Sequence, residues 1–314
     1  MGSFGIAELS LCFIAAMAIL TIAGGLVAAF LIPARPEALL YARRMSVLRT
    51  TTATVSGLIV FATAVIVHIL NPLFEGVPFV VGPLAATAAG LGVFAAMPTP
   101  TIDGAVRRRG ADLEQRRLNS YSSAGQRRMF VALFSVTVAV VLASGLTSKA
   151  GPDGRSLCTS LFPVECIGGG PYLYPGWLFA APTLILIAAL LATIVPALRR
   201  IITAPAAAWS ELVDADTAIR VAAVRLVLRI ASTPMVLTLG VFLGAAGLPL
   251  LNAEVLETGL NPNGEAIAHT FGIILVGTSA PVIACGLVLA FLSIVGATRL
   301  PRAAADSSRK STGV

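Results

Sequence analysis

Seven stretches of about twenty mostly apolar residues run through the chain, near residues 9–32, 50–70, 77–97, 129–147, 176–198, 230–251 and 270–297. At roughly 1.5 Å of rise per residue, each is long enough to cross a ~30 Å hydrocarbon layer as a helix. A chain in lipid must satisfy its own backbone hydrogen bonds, which leaves helices as the spanning form for runs of this length. The expected fold class is therefore all-α: a polytopic membrane helical bundle of seven transmembrane helices over residues 1–299, with a flexible basic tail at 300–314. Only 12% of the residues are charged, about half the share of a soluble domain. The first run is expected to remain as a span rather than be cleaved, because Glu8 stands where a signal peptide carries positive charge.

Charge sets the expected orientation. With seven spans, the loops on one side (33–49, 98–128, 199–229 and 298–314) hold 20 of the 22 Lys and Arg, and the opposite loops hold only Lys149 and Arg155. Basic loops stay cytoplasmic, which predicts an extracytoplasmic N-terminus, a cytoplasmic C-terminus and a plasma (inner) membrane location. The same rule explains the net charge of +7, so Arg107, Arg108 and Arg109 are read as a cytoplasmic loop and not as a nucleic-acid surface. The implied partners are the lipid bilayer and other membrane subunits.

No span carries an Asp, Glu, Lys or Arg near its middle. Proton relays and ion-coupled transport use such groups, because a charge held in the bilayer is costly and is kept for function. Lys149 and Lys310 are the only lysines, so no retinal-type Schiff base can form within a span. Asp214 and Asp216 form a DxD pair without the further acids a metal-dependent transferase needs, and no phosphate-binding loop is present. Gly277-Thr278-Ser279 superficially resembles a nucleophile turn, but lacks the following glycine and a histidine at matching depth. The expectation is a protein that is not an enzyme, with no catalytic, cofactor or metal site.

Polar and aromatic residues do gather near the predicted outer ends of the spans. Glu8, His68, Glu75 and His269, together with Tyr172, Tyr174 and Trp177, form a speculative outer-face ligand site by topology. The other reading is that the ionisable groups solvate helix ends and the aromatics form an interfacial belt. Cys158 and Cys166 share one outer loop in a compartment that permits oxidation, and a structural disulfide between them is expected.

Small residues four apart, Gly240 with Gly244 and Gly82, Ala86 and Gly90, suit close helix packing, and Pro182, Pro234 and Pro281 are expected to kink their spans. Residues 207–229 alternate Trp209, Leu212, Val213, Ile219, Ala223 and Leu226 with charges at amphipathic spacing. A surface helix turning into the sixth span is one reading and a docking element is another.

Three segments carry a resemblance: Val106–Leu113 with Arg116, Arg117, Arg127 and Arg128; Tyr174-Pro175-Gly176-Trp177 with Pro182; and Asp214-Ala215-Asp216 with Arg220 and Arg225. Over residues 100–250 the chain resembles a group of uncharacterised multi-pass integral membrane proteins of actinobacteria. The resemblance implies the membrane class and transfers no site. The functions left open are an accessory or scaffold subunit of a membrane transport complex, a transporter or facilitator of a neutral or apolar solute, and a membrane-embedded sensor with an extracytoplasmic ligand site.

Overall fold

The computed structural model describes residues 37–70, 77–97, 121–149, 158–159, 174–204, 210–251 and 262–311. These residues are almost entirely helical, in six helices: α1 (Glu37–Leu70), α2 (Val77–Ala96), α3 (Ala124–Leu146), α4 (Trp177–Thr203), α5 (Ser210–Leu251) and α6 (Pro262–Ser311). Five of them hold stretches long and apolar enough to cross a bilayer, and α2 is a shorter apolar helix. The chain is a helical membrane protein. Six of the seven expected spans coincide with these helices, while the first, 9–32, lies outside the described residues.

Three helices run well past the expected spans. α5 is a single helix of 42 residues, so residues 210–229 do not turn before the sixth span but continue straight into it. The reason is local: no Gly or Pro lies between Ser210 and Ser232, and nothing else stops the hydrogen-bond ladder. From Arg220 onward this segment is part of the bundle, with Val224 and Val227 buried in its core. α1 likewise joins residues 37–49 to the second span, and α6 continues to Ser311 over positions where a flexible tail is expected. Prolines do not end the helices either, since α4 carries Pro182 and Pro196 and α5 carries Pro234 and Pro249 internally.

The helices assemble around α4 and α5. One apolar cluster joins Leu84, Ala88 and Leu91 of α2, Ile187, Leu190 and Ile194 of α4, and Val224, Ala231 and Met235 of α5, with Phe130, Leu133 and Phe134 of α3 against it. A second joins Val141 of α3, Phe179 and Ala180 of α4 and Phe242 of α5. α1 packs along α2, and α6 along α5. Both outer helices present most of their surface outward: 6% of the membrane window of α1 and 11% of that of α6 is buried, against 50% for α5. In lipid, apolar burial does not drive helices together, so their attachment rests on close packing.

Close packing is what the glycines provide. A Cβ on Gly90 of α2 would stand 2.8 Å from the Ala53 carbonyl oxygen of α1, and one on Gly272 of α6 would stand 2.7 Å from the Leu251 nitrogen of α5. Both obstacles are backbone, which cannot move aside like a side-chain tip. Gly240 and Gly244, expected to be packing residues, meet Ile283 and Ser279 of α6, and Gly82 meets Phe61 of α1.

Candidate functional site

The basic end of the bundle is held by arginines, two of which cap helices other than their own. The four last carbonyls of a helix lack intrahelical donors. Arg200 of α4 donates to the carbonyls of Ala96 (3.0 Å) and Met97 (2.7 Å) at the end of α2. Arg220, only 5% exposed, donates from α5 to Ile201 (2.9 Å) and Ile202 (3.3 Å) near the end of α4. Arg127 joins the Ser122 carbonyl and hydroxyl, each at 3.0 Å, where α3 begins. The guanidiniums of Arg200 and Arg220 each meet the negative end of a helix dipole. Part of the positive charge is thus also structural cement, a role that charge counting does not reveal.

The opposite, aromatic end is closed by hydroxyls. Pro175 and Gly176 stop the incoming chain, and the Gly176 carbonyl receives the N–H groups of Phe179 (3.0 Å) and Ala180 (2.9 Å) to start α4. The Ser144 hydroxyl at the end of α3 donates to the Pro175 carbonyl. Thr147 gives its hydroxyl proton to the Ala143 carbonyl at 2.6 Å. The 2.6 Å contact between Thr147 Oγ1 and the Tyr174 hydroxyl therefore has the tyrosine as donor. Trp177 lies against Gly145, where a Cβ would come within 3.0 Å of the indole ring. Just beyond, Ser148–Lys149 pairs antiparallel with Cys158–Thr159 in a two-residue ribbon.

Under this latch lies a small recess of about 30 Å³ between α2, α4 and α5, lined by Val80, Pro175, Phe179, Val241, Phe242 and Ala245. Its lining is hydrocarbon, and the Pro175 carbonyl is already engaged by Ser144. Such a space accepts apolar atoms and orients nothing.

The expected outer-face residues meet different fates. Tyr174 is buried and bonded, and Trp177 is 39% exposed with its ring on α3. Both are fastened into the α3–α4 corner and do not form an open lid. His68 sits near the end of α1 and His269 two turns into α6, on separate helix pairs. Glu8, Glu75 and Tyr172 lie outside the described residues, as does Cys166, whose expected partner Cys158 sits in the ribbon. Among the described residues, no three His, Cys, Asp or Glu side chains gather closely enough to hold a metal ion. The Gly277-Thr278-Ser279 segment is ordinary helix: Ser279 Oγ donates to the Val276 carbonyl at 2.8 Å and faces α5.

No protein-family model, no curated protein and no solved structure matches this chain.

Proposed function

We propose that the protein is an accessory or scaffold subunit of a membrane transport complex, and that the free face of α6 receives the partner. One observation carries this reading. Gly277, Ala280, Pro281 and Ala284 are all exposed on the outward side of α6, and a Cβ on Gly277 would meet nothing within 4 Å. Opposite them, Gly272, Ser279 and Gly286 face α5. A helix with a small-residue groove on both sides is built to be approached twice, once by its own chain and once by another membrane helix.

The other readings have less support. A solute path would need room between the central helices, where Leu84, Leu190, Val224 and Met235 fill the core. A sensor's ligand would have to displace the Tyr174–Thr147 bond. With the first run counted, the proposal includes seven spans, an extracytoplasmic N-terminus and cytoplasmic C-terminus, kinship with the actinobacterial multi-pass group, and no enzymatic activity of its own.

The test is extraction of the tagged protein from its native membrane in a gentle detergent, followed by mass spectrometry of co-purifying proteins. A stoichiometric membrane partner that is lost from the Gly277→Leu/Ala284→Leu variant, while elution and thermal stability are kept, supports the reading. Recovery of the wild-type protein alone overturns it.

A further inference from the structure

We infer that the centre of the bundle binds a water molecule, held by Thr137, Thr183 and Thr238. Val141, Phe179 and Phe242 pack together in the apolar cluster nearer the aromatic end. One helical turn toward the basic end, each helix carries a threonine: Thr137 of α3 is four residues before Val141, Thr183 of α4 four after Phe179, and Thr238 of α5 four before Phe242. Because α4 runs opposite to α3 and α5, all three steps lead to the same level, and residues four apart share a helix face. A further turn on come Ile187 and Met235, within the other apolar cluster. The inferred arrangement is a single polar layer between two hydrocarbon layers, made of three buried threonines exposed by 0%, 0% and 1% respectively.

The hydrogen bonds of the layer are unequal. Thr137 donates to the Leu133 carbonyl at 2.8 Å and Thr183 to the Phe179 carbonyl at 2.7 Å. Both have spent their proton and keep lone pairs that can accept. The Thr238 hydroxyl has no partner among the described residues, although burying such a group unbonded is unfavourable. One unspent donor beside two acceptors is the complement of water, which would accept from Thr238 and donate to Thr137 and Thr183. Three hydrogen bonds is the usual complement for a buried water. A metal cation would use the lone pairs but has no place for the Thr238 proton. Pro182 adjoins Thr183 and Pro234 lies one turn from Thr238, so α4 and α5 each lose a backbone donor near the water's level.

The experiment is a double-mutant cycle on the purified full-length protein, reading thermal unfolding in detergent. Thr238→Val keeps the shape and removes the hydroxyl; it is expected to lower the midpoint by on the order of 2 °C or more, while Thr238→Ser keeps more of the wild-type value. In the Thr137→Val/Thr238→Val variant the two losses are expected to combine to less than their sum, because both act through one bound molecule. A midpoint that rises in Thr238→Val means the hydroxyl is unbonded, and strictly additive losses mean that no shared molecule links the threonines. Either result overturns the inference. Should a variant fail to fold, an experimental density map of the wild-type protein decides the matter: a solvent peak within hydrogen-bond reach of all three oxygens is expected, and direct hydroxyl contacts filling the layer overturn it.

Discussion

Arg220 reaches from the interior of α5 to the Ile201 carbonyl, 2.9 Å away, and so closes the basic end of α4. The two residues are separated by the α4–α5 connection, so this bond ties the ends of consecutive helices together. Replacing Arg220 by Met removes a charged donor from a buried site and is expected to cost about 1.5–3 kcal/mol. Arg220→Lys should recover only part of the loss, because both bonds come from one terminal guanidinium nitrogen, which a lysine ammonium on its shorter, flexible stem does not reproduce in place. Thermal unfolding of the detergent-purified variants checks both, and an Arg220→Met protein as stable as wild type would show the cap to be dispensable.

Glycines on the two sides of α6 should behave in opposite ways. Gly272→Ala drives a methyl into the backbone of α5 and is expected to destabilise by about 1–3 kcal/mol, the usual range for overpacking. Gly277→Ala adds the same methyl where nothing stands within 4 Å and should leave stability unchanged or slightly raised, since alanine favours the helix. Gly90→Ala should resemble Gly272→Ala. Equal midpoints for Gly272→Ala and Gly277→Ala would contradict the described α5–α6 contact.

At the aromatic end, Tyr174→Phe is expected to cost about 1 kcal/mol by deleting the donor to Thr147. Thr147→Val loses that bond as well as the one to Ala143. Combined, the two substitutions should cost less than their sum, whereas additivity would mean that the hydroxyls are not bonded to each other.

Cys158 is placed by the ribbon with Lys149, and a disulfide to Cys166 is predicted. Peptide mapping without reductant should recover residues around 158 and 166 as one linked fragment that separates on reduction. Free thiols at both positions in protein kept under oxidising conditions would exclude the bond.

Orientation is checked by single-cysteine labelling in intact cells with Cys12, Cys158, Cys166 and Cys285 replaced. A cysteine at Lys149 should react with a membrane-impermeant reagent, and one at Lys310 should react only after permeabilisation. The reverse pattern would invert the topology.

Most of the fold was legible in the sequence because span length is dictated by the bilayer: the six described helices cover six of the seven apolar runs, the first lying outside the described residues. Where helices end was less legible. The continuation of α5 from Ser210 follows from the absence of Gly and Pro up to Ser232, whereas that of α4 beyond Pro196 goes against a local stop signal, since a proline within a helix costs little when neighbouring groups take up the freed carbonyl. The packing roles of Gly240 and Gly90 could be read from four-residue spacing. Those of Arg200 and Arg220 could not, since a loop arginine looks the same whether it faces water or caps a neighbour. The inferred threonine layer left a trace in sequence, a hydroxyl four residues from an apolar residue in three separate spans, but the inference that the three lie at one level rests on the packing of Val141, Phe179 and Phe242.

α6 holds to the bundle along α5, and this bears on how the protein is made. The central helices α2, α3, α4 and α5 are all synthesised before α6 leaves the ribosome, so the core can close while α6 is still being inserted. The last described helix then docks onto a finished surface, with Gly272 setting its register against Leu251. A lesion in the α5–α6 seam should therefore spare core assembly and appear late in biogenesis, as a protein that integrates into the membrane with its final helix unfastened.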